Sequence, residues 1–523
     1  MTSELHALRQ AFASRNWPLT SQLCQKILTA DPQQVDAHMV MGLMAGQHGH
    51  LGAALRAFET VVKLDSSRLD ARIQLARCLV HKGEHGLARQ QADWILHSAA
   101  CHTLSATLLD LLATVYSHIG LQETALTLYE RCLEMSPDSV PYLSNTAGCL
   151  IFLGHRQRAK NYLLHALELQ PNYPKAHWQL ARLEPANANV VSTLQTALEK
   201  CPDTDPQGQI FLHYSLGKAF EDLRQWDKAW QHFHGGAKAQ RQRLNYNPAS
   251  DRQLFQSLRH TFDSSWFSSL SNDGATQQNL ASTGPVFVVG LPRSGTTLVE
   301  RIITNHSGVQ SLGELPHIPI QTKRLAALQS GDLLSVEVLE AVAHQNLKPL
   351  AEHYYQAIHY LRNDQPRFVD KLPHNSLYIG LLAKAFPEAQ FVCLQREPMD
   401  NCWALYKQLF AGAYFYSYEL EELGSYVQQH RELMAHWQRH LPERFHTIDY
   451  ETLVTEQEDT TRGLLNFLQL EFEPECLAFE SNRTAAATAS AAQVRSKIHS
   501  RSVGGWCHYE KQLATLKKYF YEQ

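Results

Sequence analysis

Val286-Phe287-Val288-Val289-Gly290-Leu291-Pro292-Arg293-Ser294-Gly295-Thr296-Thr297 is the stretch from which the rest of the chain can be read. Its first four residues are apolar and largely β-branched, which predicts a short buried strand. Gly290 to Thr297 then keep the GxxxxGK[ST] spacing of a phosphate-binding loop, and a helical pattern follows from Thr296 to about His306. Glycines at the two ends let the backbone curl, so that successive N–H groups face an anion at the helix N-terminus. Thr296 stands where a nucleoside triphosphatase carries the lysine that neutralises the β- and γ-phosphates. Arg293 lies inside the loop instead, and Ser294, Thr296 and Thr297 offer hydroxyls. That set suits a single 5′-phosphate better than a polyphosphate, with no obligatory magnesium.

Working downstream, Arg367–Asp370, Gln390–Leu394 and Phe445–Asp449 read as further strands. Amphipathic segments at Ser376–Phe386, Asn401–Phe410 and Glu419–His440 lie between them. Strands separated by helix-length segments predict an α/β domain over residues 285–523, a parallel sheet with helices on both faces. In such sheets ligands sit at the carboxyl ends of the strands.

Upstream the pattern changes. Residues 241–284 read as a linker, since the helical period fades from Asn245 and polar residues accumulate around Ser264–Thr283. Residues 1–240 repeat themselves. Ala113, Ala125, Tyr129 and Pro137 recur as Ala147, Ala159, Leu163 and Pro171, each 34 residues on. Gly42, Ala54, Phe58 and Ser66 have the same internal spacing, Ala76 and Ala88 follow it, and Gly217, Phe220, Ala229 and Phe233 close the series. Small residues at fixed points let two antiparallel helices approach, a large residue fills the groove, and proline or serine ends the second helix. This all-α array resembles the tetratricopeptide repeat, which implies a solenoid and a protein or peptide partner. Five units fall between Val35 and Leu183 and one at about 210–240, with a degenerate stretch at Glu184–Gln207.

Composition fits this multidomain reading. The chain has 523 residues, 44% hydrophobic and 19% charged, too many for one ordinary core. A net charge of −4 speaks against a general nucleic-acid binder. Ten cysteines without CxxC spacing predict free thiols in a reducing compartment. The first twenty residues lack a secretory pattern and no apolar run reaches membrane-spanning length, so a cytoplasmic protein without membrane attachment is expected. The 28 histidines show no metal-ligand spacing.

Taken in order, Pro292–Thr297, Gly313-Glu314, Asp370-Lys371-Leu372-Pro373, Arg396-Glu397-Pro398, Asp449-Tyr450-Glu451 and Val503–Trp506 resemble the motifs of the sulfotransferase superfamily. The likeness is to bacterial tetratricopeptide sulfotransferases and tyrosylprotein sulfotransferases, and covers about Val286 to Lys518. It implies a P-loop-like three-layer domain that moves a sulfuryl group from 3′-phosphoadenosine-5′-phosphosulfate (PAPS) to a hydroxyl acceptor, with peptide tyrosine a candidate and no metal expected. By position, Arg293, Ser294, Gly295, Thr296 and Thr297 would hold the 5′-phosphosulfate, Arg396 the 3′-phosphate and Tyr450 the nucleotide. Glu314 would be the base, with His306 and His317 as rivals. Lys371 would stabilise the leaving phosphate with help from Ser490, inside a nucleotide-covering stretch Ser490–His499. Two positions depart from the family. Ala404 replaces a serine that donates to the 3′-phosphate, and Gly505 replaces a basic residue before Trp506. Lys407 and Arg501 are the neighbours available to compensate. Other readings are a repeat scaffold with a weakened nucleotide-binding domain, which these two positions favour, and a P-loop kinase, which the absent lysine disfavours.

Overall fold

The computed structural model describes residues 2–271, 284–328, 332–410, 412–482, 484–485, 500 and 502–522. They divide into two compact units, Met1–Cys149 and Leu150–Gln523.

The first unit is built of helical hairpins. Val35–Gln47 pairs with Leu51–Leu64, Leu69–Lys82 with His85–Leu96, and Ala106–His118 with Gln122–Met135. Small residues work as the repeat pattern demands, and the large residue packs back onto its own hairpin. A Cβ at Gly42 would stand 2.7 Å from the Phe58 ring, and Ala54, Ala76, Ala88, Ala113 and Ala125 are all fully buried.

The second unit begins with further helices. The last repeat hairpin, Pro206–Asp222 and Trp226–Gln242, repeats the Gly42–Phe58 contact: a Cβ at Gly217 would lie 2.6 Å from Phe233. The degenerate stretch holds a helix, Ala188–Glu199, capped by Asn187, whose side chain accepts from the Val190 N–H at 3.1 Å. The expected linker is largely helical too, with Pro248–Thr261 and Ser264–Ser271. Leu254, Phe255, Leu258 and Phe262 form a buried stripe there, and Phe262 packs against Trp266 and Trp437. Polar residues between these positions hid the stripe, because they solvate its outer face.

Among the described residues five strands form one parallel sheet: β1 Val286–Gly290, β2 Val309–Ser311, β3 Arg367–Lys371, β4 Gln390–Gln395 and β5 Phe445–Asp449, in the order β2-β3-β1-β4-β5. Strand β2, three residues long, carried too little pattern to be foreseen. β1 lies at the centre and is buried throughout. Its alternation sends Val286 and Val288 to one face with Val299, Ile302 and Ile303, and Phe287 and Val289 to the other with Tyr354, Phe386 and Phe391. Each such side chain stabilises the fold by roughly 1.5–3 kcal/mol. The result is the α/β three-layer arrangement, with chain order reversing beside β1, where ligand-binding crevices form in open parallel sheets.

Candidate active site

The carboxyl end of β1 turns into the loop Leu291–Gly295 and the helix Thr296–Thr304. Two glycines make this turn possible. Gly290 has φ +144°, and a Cβ there would meet the Leu394 carbonyl oxygen at 2.6 Å. Gly295 has φ +111°, and its Cβ would meet the Tyr450 ring at 2.7 Å. Arg293 is held at φ +65°, a left-handed conformation rare for a side-chain-bearing residue and typical of strained functional loops. Ser294 turns its hydroxyl back to the Leu291 carbonyl at 2.8 Å, and Asn401 Nδ2 ties the Pro292 carbonyl at 3.0 Å. These two bonds hold the loop in this conformation from within and from the helix Pro398–Tyr406.

Arg396 follows β4 and reaches the same place. One guanidinium nitrogen donates to the Arg293 carbonyl at 3.1 Å, another to the Ser502 carbonyl, and the group lies 4.9 Å over the Tyr450 ring. Its Nε is buried with no protein acceptor, in a crevice lined by Leu291, Pro398, Asn401, His430 and Arg431. Burial, the Arg396 charge and the Arg182 charge push the Arg293 guanidinium down to about 10, with Tyr450 acting the other way. Arg182, stacked 4.7 Å over Trp178 in the repeat helices, was not foreseen from the sequence. Convergent like charges of this kind ask for an anion. The glycine cradle and the Arg396 Nε together present donors that suit phosphate groups. Tyr450 completes the wall, its hydroxyl 3.0 Å from the Ser502 hydroxyl.

At the end of β3, Lys371 is fully buried and donates to Glu314 Oε1. It also lies 3.9 Å from Glu300 Oε2, and Glu300 takes the Ser311 hydroxyl at 2.7 Å. Lys371 thus sits between two carboxylates, of which Glu314 keeps 32% of its side chain exposed against 6% for Glu300. Only Glu314 can meet an incoming molecule without rearrangement. Beside Lys371, the Asp370 carboxyl is pushed up to about 7, chiefly by burial and further by Glu300, against a 2.8 Å bond from the Tyr354 hydroxyl and the Lys371 charge.

The two histidines named as rival bases lie in different settings. His306 bonds the Glu471 carbonyl at 3.1 Å and takes the Gly308 N–H at 3.0 Å. His317 has no exposed surface. Lys407, a candidate stand-in for the missing serine, is bound to Glu221 at 2.9 and 3.1 Å. Ala404 is buried, and Gly505 lies beside Asp400, which was also missed: its carboxylate accepts the Gly504 and Trp506 N–H groups at 2.6 and 3.0 Å. An acid in the first turn after Pro398 was the available signal, but partners a hundred residues away are invisible in sequence. Ser490, the stretch Ser490–His499 and Arg501 lie outside the described residues. Among the described residues no group of three His, Cys, Asp or Glu side chains could hold a metal, and no helix is long and apolar enough to cross a membrane.

Comparison with known proteins agrees with this geometry. Residues 285–474 match the sulfotransferase family, and residues 106–139 and 142–173 the tetratricopeptide repeat. An uncharacterized protein of Aquifex aeolicus is 30% identical over 401 residues, 75% of this chain and 52% of that protein, so the chain spans about half the length of this relative. A putative protein-tyrosine sulfotransferase of Caenorhabditis briggsae is 24% identical over 44% of this chain and 84% of its own. Protein-tyrosine sulfotransferase 1 of Danio rerio is 25% identical over 37% of this chain and 56% of its own. Tetratricopeptide repeats are thus followed, over residues 285–474, by a domain of the sulfotransferase family.

Proposed function

We propose that the chain transfers a sulfuryl group from PAPS to a hydroxyl acceptor, and that the acceptor is a tyrosine on a peptide or protein recruited by the repeats. The observation that carries this reading is the convergence of Arg293 and Arg396 on a glycine-framed loop, next to a Lys371–Glu314 pair. PAPS supplies an activated sulfuryl group on a good phosphate leaving group. Arg293 and the N–H groups of the loop hold the 5′ end, with hydroxyls of Ser294, Thr296 and Thr297 beside them, while Arg396 and Tyr450 hold the nucleotide side. Glu314 takes the acceptor proton as the hydroxyl oxygen forms its bond to sulfur and the sulfur–phosphate oxygen bond breaks. Lys371 neutralises charge on the departing oxygen, a role its burial strengthens. Ser490 is proposed to assist it. The two protein-tyrosine sulfotransferase relatives support the choice of acceptor class, and ten free cysteines support a cytoplasmic location.

One observation favours a second reading, a repeat scaffold with a weakened nucleotide-binding domain: Ala404 gives the 3′-phosphate no hydroxyl, and Lys407 is committed to Glu221. Calorimetry of the full chain with 3′-phosphoadenosine-5′-phosphate (PAP) separates the two. Binding that weakens by about 10- to 150-fold in Arg293→Ala, the worth of a charged hydrogen bond, supports the enzyme. Folded wild-type chain that leaves PAP unbound supports the scaffold.

A further inference from the structure

The last repeat hairpin meets the sulfotransferase domain at two pieces that belong to the donor site. One is the helix Pro398–Tyr406, which follows Arg396 directly. The other is the segment from Ser502 to Tyr509, whose first residue caps Arg396 and Tyr450. Glu221, near the end of the helix Pro206–Asp222, joins them. Its carboxylate accepts from Lys407 Nζ at 2.9 Å and from the Tyr509 hydroxyl at 3.3 Å, with 17% of its side chain exposed. Aromatic rings lock the same junction. Trp226 stacks on His508 at 4.0 Å and 5°, and Trp403 lies 3.9 Å from Tyr509. At the near end Asp400 fixes Gly504 and Trp506 through their N–H groups. A continuous run of bonds therefore leads from Glu221 through Tyr509 and the Asp400-held turn to Ser502, and so to Arg396.

Apolar stacking alone would hold the segment near, with freedom to slide. A carboxylate shared by a cation and a phenol adds direction, because each of its oxygens accepts along a defined line. We propose that Glu221, a residue of the repeat hairpin, is a positioning residue of the donor site: by holding Lys407 and Tyr509 together it sets the height of Ser502 over Arg396 and Tyr450, and with it the donor affinity. This rests on the donor-site reading above. The repeats would then tune nucleotide binding as well as recruit a partner.

PAP binding to the full chain tests it, with wild type, Arg293→Ala, Glu221→Gln and Tyr509→Phe measured by calorimetry and thermal unfolding, and with amide exchange followed over residues 502–509. Glu221→Gln keeps the volume and removes the charge; Tyr509→Phe keeps the ring and removes one bond, so it remains informative where the first variant folds poorly. The expected result is Kd raised about tenfold in Glu221→Gln and about threefold in Tyr509→Phe, with unfolding temperatures close to wild type. PAP-induced protection of the segment should shrink in parallel. Wild type that binds no PAP, in a folded chain, sinks the donor-site reading and this inference with it. Wild type that binds and Arg293→Ala that does not, while both other variants bind as wild type does, overturns the positioning role alone. Affinity that falls only together with unfolding temperature also overturns it, since a merely architectural contact behaves so.

Discussion

Asp370→Asn should remove one pH-dependent part of the chain's stability. Asp370 is fully buried at the end of β3, where its carboxyl takes the Tyr354 hydroxyl. Its carboxyl is pushed up from 3.8 to about 7, first by burial. The folded chain therefore holds a proton that the unfolded chain releases from about pH 4 upward. Stability from this group is full below that point, falls as pH rises through the window, and is lowest above about pH 7. The displacement corresponds to about 4 kcal/mol at most. Asparagine is nearly isosteric with the protonated acid but adds a buried amide donor, a fixed cost of about 1–3 kcal/mol. Urea unfolding followed by tryptophan fluorescence, with Trp437 buried in this unit, gives the comparison. At about pH 5 the variant should be the less stable protein, and by about pH 8.5 the gap should have closed or inverted. Two stability curves that run parallel across that range would refute the reasoning.

Two further outcomes follow from other parts of the structure. Glu314→Gln should lower kcat about 10²- to 10⁴-fold with a tyrosine peptide as acceptor while leaving PAP affinity within about twofold of wild type, and unchanged turnover would remove Glu314 from the base role. Phe262→Ala should destabilise the unit by about 3–5 kcal/mol in urea unfolding, because the ring is fully buried between Trp266 and Trp437; a negligible change would mean that the helix Pro248–Thr261 merely rests on the domain.

Features that depend on near neighbours were legible in the sequence. The loop Gly290–Thr297 could be read because its backbone demands glycine at fixed places, and the repeats because each small residue faces a large one about sixteen positions later, as Gly42 faces Phe58. Strands β1 and β4 announced themselves as apolar runs, and β3 and β5 as shorter strand-like stretches between helix-length segments. What escaped depends on distant partners. Asp400 holds a turn over a hundred residues away, the Arg182 charge acts on Arg293 from the repeat helices, and Glu221 bonds Tyr509 across 288 positions. The stretch from Asn245 to Phe262 misled for a different reason: four buried side chains suffice to dock a helix whose other residues are polar.

The grip of the last hairpin on the helix Pro398–Tyr406 also bears on how such chains can be cut and recombined. Similarity to the sulfotransferase family begins at residue 285, yet a fragment starting there would bare Trp403, Tyr406 and Tyr509, all of them buried against or beside Trp226, Trp230 and Phe233. A contiguous oily face of that kind invites aggregation. The seam in ancestry and the seam in packing thus run through different residues, the latter near Cys149. A graft that exchanges repeats between relatives would have to leave the helices from Arg156 to Gln242 with the sulfotransferase-family domain, so that the portable cassette is shorter than the repeat pattern makes it look.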